Sequence, residues 1–147
     1  MKNNNWAGSA IACIHGDAAH PNLRGKVRLF PHCGGTMVVA EICGLPESET
    51  GFFALHIHEG CDCTGTGFAD TGNHYNPGQT SHPCHAGDLP PLLSCGGRAS
   101  LSVVTDRFRV RDVIGRTVVI HSHPDDFKTQ PSGGAGEKIA CGVICSV

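Results

Sequence analysis

The stretch Leu55-His56-Ile57-His58-Glu59 limits what this chain can be more than any other part of it. Two histidines separated by one residue point the same way on a β-strand, about 6–7 Å apart, but they do not share a face of a helix. One metal ion can bridge such a distance. Phe52 and Phe53 before the pair favour a strand, and Gly60 closes the run. An isolated pair of this kind is more often two ordinary histidines, so the metal interpretation depends on the residues that follow.

Eight short segments of the chain have strand character, with turn residues between them. They are Ser9–His15, Gly25–Phe30, Met37–Cys43, Phe52–His58, Asp88–Leu93, Ala99–Val104, Thr117–His121 and Ile139–Ile144. No segment keeps a helical apolar period, so these strands predict an all-β fold, an eight-stranded Greek-key sandwich or flattened barrel with two long functional loops. With 147 residues we expect a single domain, 1–147, structured over about residues 7–146.

Composition and charge exclude several classes of partner. The net charge is −2 without a basic run, and phosphate binding needs clustered lysine and arginine, so we expect no nucleic-acid partner. No apolar stretch approaches the ~18 residues of a transmembrane helix, so we expect no membrane span. The first residues, Met1-Lys2-Asn3-Asn4-Asn5-Trp6, contain no apolar core of signal-peptide length. We therefore expect a cytoplasmic protein, or an exported one from which the leader has been removed.

Two gaps between the predicted strands are too long for turns, from Glu59 to Gly87 and from Ser122 to Glu137. Loops of this length in a small domain are usually either functional or disordered. The first gap contains four candidate ligands or linkers, His74, His82, Cys63 and His85. We favour function, because a bound ion can supply the order that a glycine-rich segment lacks.

The residue types around these loops fit two metal sites. Three imidazoles at the ends of predicted strands, His56, His58 and His121, suit copper or zinc. The segment His82-Pro83-Cys84-His85-Ala86-Gly87-Asp88 offers two imidazoles and a carboxylate, a mixed set that fits tetrahedral zinc once a fourth ligand is added. His74 can be that ligand, or it can complete the copper set. Because an imidazole has two ring nitrogens, His74 can also serve both ions at once.

Cysteine content and spacing suggest a structural role for the thiols. The nine cysteines are an odd number, so at least one stays unpaired. Neither Cys61-Asp62-Cys63 nor Cys141-Gly142-Val143-Ile144-Cys145 has the spacing of a thiolate zinc site. The histidines that fit neither metal set are His15, His20, His32 and His123, and we expect them to be surface or core residues.

The sequence from about Ala10 to Ile144 resembles the copper/zinc superoxide dismutases, in particular their bacterial type. The resemblance lies in five ordered blocks: His56-Ile57-His58-Glu59, Asn73-His74-Tyr75-Asn76-Pro77, His85-Ala86-Gly87-Asp88-Leu89, Ile114-Gly115-Arg116-Thr117-Val118-Val119-Ile120-His121, and Gly134-Ala135-Gly136-Glu137-Lys138-Ile139-Ala140-Cys141-Gly142-Val143-Ile144. This family is itself an example of β-sandwich architecture, so the resemblance implies the same fold.

The resemblance also implies which residues bind metal. Copper would be held by His56, His58, His74 and His121, and zinc by His74, His82, His85 and Asp88, with His74 as the bridge. Asp125 matches the carboxylate that hydrogen-bonds ligands of both metals and fixes their tautomers. Cys141 matches one end of the family's disulfide. Cys63, in the Asp-Cys pair of bacterial members, is a better partner for it than Cys61.

The implied activity is superoxide dismutation by copper that cycles between Cu(II) and Cu(I), with zinc in a structural role. The substrate would be the superoxide anion. When copper is reduced, its hold on His74 would weaken, and the ring nitrogen that is freed would carry a proton. Lys138 stands where the family usually has an arginine; it keeps the positive charge but loses the fork of donors, which predicts activity with weaker guidance of the anion. The resemblance leaves a monomer and a homodimer both open.

Two other functions stay open from the sequence. A domain of this fold could bind or deliver copper and zinc with little turnover, which poor copper retention or poor guidance by Lys138 would favour. A zinc-only structural module would use just His74, His82, His85 and Asp88. The complete copper set argues for the enzyme.

Overall fold

Nine strands and two short helices make up the computed structural model, which describes residues 7–147. The strands are β1 Ala10–Gly16, β2 Arg24–His32, β3 Gly35–Cys43, β4 Phe52–Phe53, β5 Leu55–His58, β6 Leu92–Leu93, β7 Ala99–Thr105, β8 Thr117–His121 and β9 Lys138–Ser146. A 3-10 helix covers Thr66–Thr71, and the α-helix α1 covers Val110–Val113.

Seven of the strands form one curled antiparallel sheet, in the order β5, β8, β9, β1, β2, β3, β7. After β3 the chain passes to β4 and β5 at the opposite edge, returns to β7 beside β3, and then crosses again to β8 beside β5. These long crossings are of the Greek-key type. The small sheet of β4 and β6 lies between the two edges, because β4 runs through Ala54 into β5 while β6 contacts β7. The all-β, barrel-like expectation is confirmed.

The inside of the curled sheet is the hydrophobic core. β1, β2 and β3 alternate between more and less buried positions, as strands with one face in the core and one in solvent do. β5 and β8, in contrast, are buried at every position. Leu55 and Ile57 of β5 and Val118 and Ile120 of β8 face the core, so the opposite faces of these two strands must be covered by loops.

Two strand predictions need correction. The predicted strand Phe52–His58 is split at Ala54 between the small and the large sheet. The predicted strand Asp88–Leu93 is reduced to Leu92–Leu93. The Asp88 carboxylate accepts a hydrogen bond from the backbone N–H of His85 at 2.9 Å, and Pro90 and Pro91 have no N–H to give to a ladder, so this segment begins as a loop.

One disulfide ties the first long loop to the sheet. It joins Cys63 to Cys141 of β9, with the two Cα atoms 5.8 Å apart, as the family resemblance implies. Phe68 of the 3-10 helix and Val119 of β8 pack against it and shield it from solvent. Within residues 7–147, none of the helices has the length and apolar character needed to span a bilayer.

Candidate metal centre

The pleat of β5 places two histidines on the outer face of the sheet. His56 and His58 alternate with the core residues Leu55 and Ile57, so they point away from the core. Both are nevertheless buried, at 0% and 2% exposure, because the first long loop covers them. A histidine that is buried on the side opposite the core needs partners in that loop.

A β-bulge at the end of β8 brings a third histidine and a lysine side by side. The register between β8 and β9 shifts between Ile120 and His121, and His121 then pairs with Lys138 at the start of β9. Bulges commonly re-aim a side chain next to a functional site. The backbone N–H of His121 donates to the carbonyl of Ala54 at 3.0 Å, which fixes the strand end beside β5.

The first long loop is hydrogen-bonded along the free edge of β5. The N–H of Tyr75 donates to the carbonyl of Ile57 at 2.8 Å, and the N–H of Ile57 donates to the carbonyl of Gly87 at 2.9 Å. A side chain at Gly87 would not fit here, since its Cβ would lie 2.2 Å from the Ile57 carbonyl oxygen. These bonds place His74 and Asp88 directly beside the histidines of β5.

The result is two four-residue groups of potential metal ligands that share one histidine. The strand group consists of His56, His58, His74 and His121, and the loop group consists of His74, His82, His85 and Asp88. Within each group the donor atoms all lie within 4.8 Å of one another. All seven residues that the sequence assigns to the two sites therefore come together in space.

Asp125 fixes the tautomers of one histidine in each group. One carboxylate oxygen accepts a hydrogen bond from Nε2 of His56 at 2.8 Å, and the other accepts from Nε2 of His82 at 2.8 Å. Because Nε2 carries the proton in both rings, Nδ1 of each ring keeps its lone pair. Neither Nδ1 has a hydrogen-bond partner, although both are buried. Each lone pair is therefore available to a metal ion.

His58 is oriented in the same way by a backbone carbonyl. Its Nδ1 donates to the carbonyl of Gly72 at 2.9 Å, which leaves the lone pair on Nε2. That Nε2 lies 3.2 Å from Nε2 of His121, so the two rings point at each other inside the strand group. Buried lone pairs converging on one point fit a copper ion, which imidazole nitrogens bind well.

His74 lies between the groups and offers one ring nitrogen to each. Its Nδ1 is 2.7 Å from a carboxylate oxygen of Asp88 and 3.2 Å from Nδ1 of His85, within the loop group. Its Nε2 is buried without a partner on the side of the strand group, where the His56 ring lies 4.0 Å away between centroids. Three imidazoles and a carboxylate in the loop group fit tetrahedral zinc.

The protonation states favour metal binding. Burial, with repulsion from the neighbouring histidines, lowers the pKa of His58 to about 2 and that of His121 to about 3. Burial alone would raise the pKa of Asp88, but its hydrogen bond to His74 and the other nearby histidines lower it. Metal ions bind neutral imidazoles and ionised carboxylates, so these three residues need not lose protons first.

The second long loop closes over the loop group. Gly133, with a φ of +75°, passes so close to the bond between Asp125 and His82 that a Cβ there would lie 2.0 Å from the carboxylate. The side-chain amide of Gln130 accepts from the backbone N–H of His82 at 2.9 Å and donates to the carbonyl of His82 at 2.7 Å. Glycine and glutamine thus position His82 from across the site.

Sequence reasoning missed two residues that position the segment with His82 and His85. Besides Gln130, the Arg107 guanidinium donates to the carbonyls of Pro83 and His85 at 2.8 and 3.2 Å. No local motif marks either residue, because each contact joins segments far apart in the chain. Cys84 lies between two members of the loop group but is an exposed free thiol and belongs to neither group.

Comparisons with known proteins agree with this geometry. A family model described as copper/zinc superoxide dismutase matches residues 23–144. The copper/zinc superoxide dismutase of Legionella pneumophila is 34% identical over 146 residues, covering 94% of this chain and 88% of that protein. That of Caulobacter vibrioides is 34% identical over 131 residues, covering 78% and 72%. The solved structure of the Cu/Zn superoxide dismutase from Brucella abortus has a TM-score of 0.76 and 25% identity, covering 92% of this chain and 98% of that one.

Proposed function

Because this chain belongs to the copper/zinc superoxide dismutase family, we propose that its strand group binds the copper ion and its loop group the zinc ion. The enzyme converts the superoxide anion to dioxygen and hydrogen peroxide. The observation that carries the assignment is the position of His74, which presents Nε2 to the strand group and Nδ1 to the loop group. Asp125 joins the two sites a second time, through His56 and His82.

Bound copper supplies the alternating one-electron oxidation and reduction of superoxide. The residues around it supply access and protons. A cavity of about 630 Å³ opens to solvent beside His58, His74, His121 and Lys138. Glu59 and Lys138 are the charged residues that line this cavity beside the histidines, and the Lys138 ammonium places a positive charge there that attracts the anionic substrate to a protein whose net charge is −2. His74 also lines this cavity, and whenever its Nε2 does not hold the metal it can carry one of the two protons that hydrogen peroxide needs, the other coming from solvent.

A domain that only binds or delivers metal is not favoured, because every residue of the strand group is present and buried. Metal analysis and superoxide decay, measured on the same sample loaded with both metals, test the proposal. We expect one copper and one zinc per chain and fast decay. Zinc alone with background decay would overturn it.

The remaining proposals concern organisation. One hydrophobic core, to which all nine strands contribute, supports the proposal that residues 1–147 form a single dismutase domain. A homodimer would have an apolar surface to use on the small sheet, where Phe52 and Leu93 are cross-strand partners and are 39% and 58% exposed. Sedimentation of the metal-loaded protein with and without Leu93→Lys tests for this homodimer. A mass of two chains that falls to one chain in the variant supports the dimer. A single-chain mass for the unaltered protein contradicts it.

A further inference from the structure

The hydroxyl of Thr71 holds the ammonium group of Lys138. Lys138 Nζ donates to Thr71 Oγ1 at 2.8 Å and to the carbonyl of Gly72 at 3.0 Å. Thr71 is completely buried at the end of the 3-10 helix, and its own hydroxyl donates to the carbonyl of Phe68 at 2.8 Å. Because that bond uses the only hydroxyl proton, the oxygen can only accept from Lys138. The direction of this hydrogen bond is therefore fixed.

The carbonyl of Gly72 connects the same lysine to the strand group. It accepts from Lys138 Nζ and also from Nδ1 of His58 at 2.9 Å. The Gly72 carbonyl thus sets both the tautomer of His58, a proposed copper ligand, and the position of the Lys138 ammonium. The disulfide between Cys63 and Cys141 fastens the start of this loop to β9, the strand on which Lys138 lies.

A lysine needs such support more than an arginine does. Its ammonium is a compact charge on a flexible stem, and ordering that stem costs side-chain entropy. Within residues 7–147, the hydrogen bonds of Nζ go to Thr71 and Gly72, which uses two of its three protons. The third is free to point into the cavity that His58, His74 and His121 also line.

We propose that Thr71 is a positioning residue for Lys138: its hydroxyl fixes the ammonium at the cavity so that the remaining N–H meets the incoming anion. The inference rests on the proposed function, since it gives the anion site of a dismutase to Lys138. It assigns to Thr71, a residue outside both ligand groups, a role in the affinity for anions.

The first test does not depend on copper. In zinc-loaded, copper-free protein labelled with ¹⁵N-lysine, we expect a protected Lys138 ammonium signal in NMR spectra of the unaltered chain and of Thr71→Ser. The signal should broaden or shift to that of a free lysine in Thr71→Val, which keeps the shape of the side chain and removes the hydroxyl. Thr71→Ala replaces the valine variant if that does not fold. An unchanged signal in the variant lacking the hydroxyl would overturn the proposal.

The second test measures anion binding to the protein loaded with both metals, with azide as the probe. Losing one hydrogen bond of this kind should raise the azide dissociation constant about 2- to 10-fold in Thr71→Val, and Thr71→Ser should restore it. In a Lys138→Gln background the same threonine substitution should have no further effect. An equal rise in that background would overturn the proposal. If the unaltered protein neither binds copper nor removes superoxide, the proposed function fails, and the copper-free NMR test still decides the role of Thr71.

Discussion

The strand group and the loop group have similar local geometry but are built differently. His56, His58 and His121 of the strand group lie on β5 and β8, whose register is set by the ladder and by core residues such as Ile57. Apart from the shared His74, the members of the loop group lie in one short segment, from His82 to Asp88, that contains no strand. Side chains from elsewhere, chiefly Asp125, Gln130 and Arg107, hold that segment.

This difference indicates a division of labour. Strand positions are fixed by backbone pairing and core burial, so the three histidines on strands, His56, His58 and His121, should keep their places whether or not metal is bound. Loop positions depend on a few hydrogen bonds and, when bound, on the ion itself, since metal binding contributes to folding free energy. Changes in the first group should affect turnover most, and changes in the second should affect zinc retention and the order of the loop.

The largest expected effect is that of His121→Ala. It removes one ligand from the strand group and leaves the loop group complete, so superoxide removal should fall at least about 100-fold while zinc content stays at one per chain. Decay kinetics and elemental analysis measure the two quantities. His32→Ala, at an exposed histidine of neither group, is the matched control. Loss of zinc together with activity would show that the groups are not separable.

Asp88→Ala should have the complementary effect. It removes the only carboxylate of the loop group, so zinc affinity should fall by more than about 100-fold, beyond what loss of a supporting residue causes. Copper binding should persist, because His74 keeps its Nε2 toward the strand group. Competition with a chelator of known affinity measures zinc binding, and Asp106→Ala at an exposed position serves as control. Equal loss of both metals would contradict the assignment of ligands.

The sequence predicts the strand group and the loop group unequally well. His56 and His58 are recognisable from spacing alone, because alternation on a strand is a local property. From the residues alone, His74 could belong to either site, and only the family resemblance identifies it as the bridge. The two directions of its ring nitrogens now support that role.

Arg107 and Gln130 lie 24 and 48 residues from their loop partners, so no local pattern could reveal them. The strand predicted at Asp88–Leu93 forms only at Leu92–Leu93. The Asp88 side chain bonds to the backbone of His85, and the two prolines that follow have no N–H for a ladder, so the apolar pattern alone was misleading.

Asp125→Asn tests the connection between the two groups. The amide keeps one acceptor, but its NH₂ group meets a ring N–H of His56 or His82 instead of accepting from it. One of the two histidines then loses its preferred tautomer, and we expect affinity for both metals to fall about 10-fold. Parallel titrations with copper and zinc measure this. The exposed Asp126, replaced by asparagine, is the neighbouring control. A loss confined to one metal would show that Asp125 supports only that site.

Arg107→Lys should have the smallest effect, and one limited to the loop group. The guanidinium reaches two carbonyls, of Pro83 and His85, whereas a lysine brings the charge without the fork of donors. Because Arg107 is exposed, its hydrogen bonds compete with water, and zinc affinity should fall only about 2- to 10-fold, with copper affinity unchanged. Arg111→Lys, whose parent side chain is 76% exposed, should leave both affinities as they are. An equal change in copper affinity would mean that the loop and strand groups are coupled through the backbone as well as through His74 and Asp125.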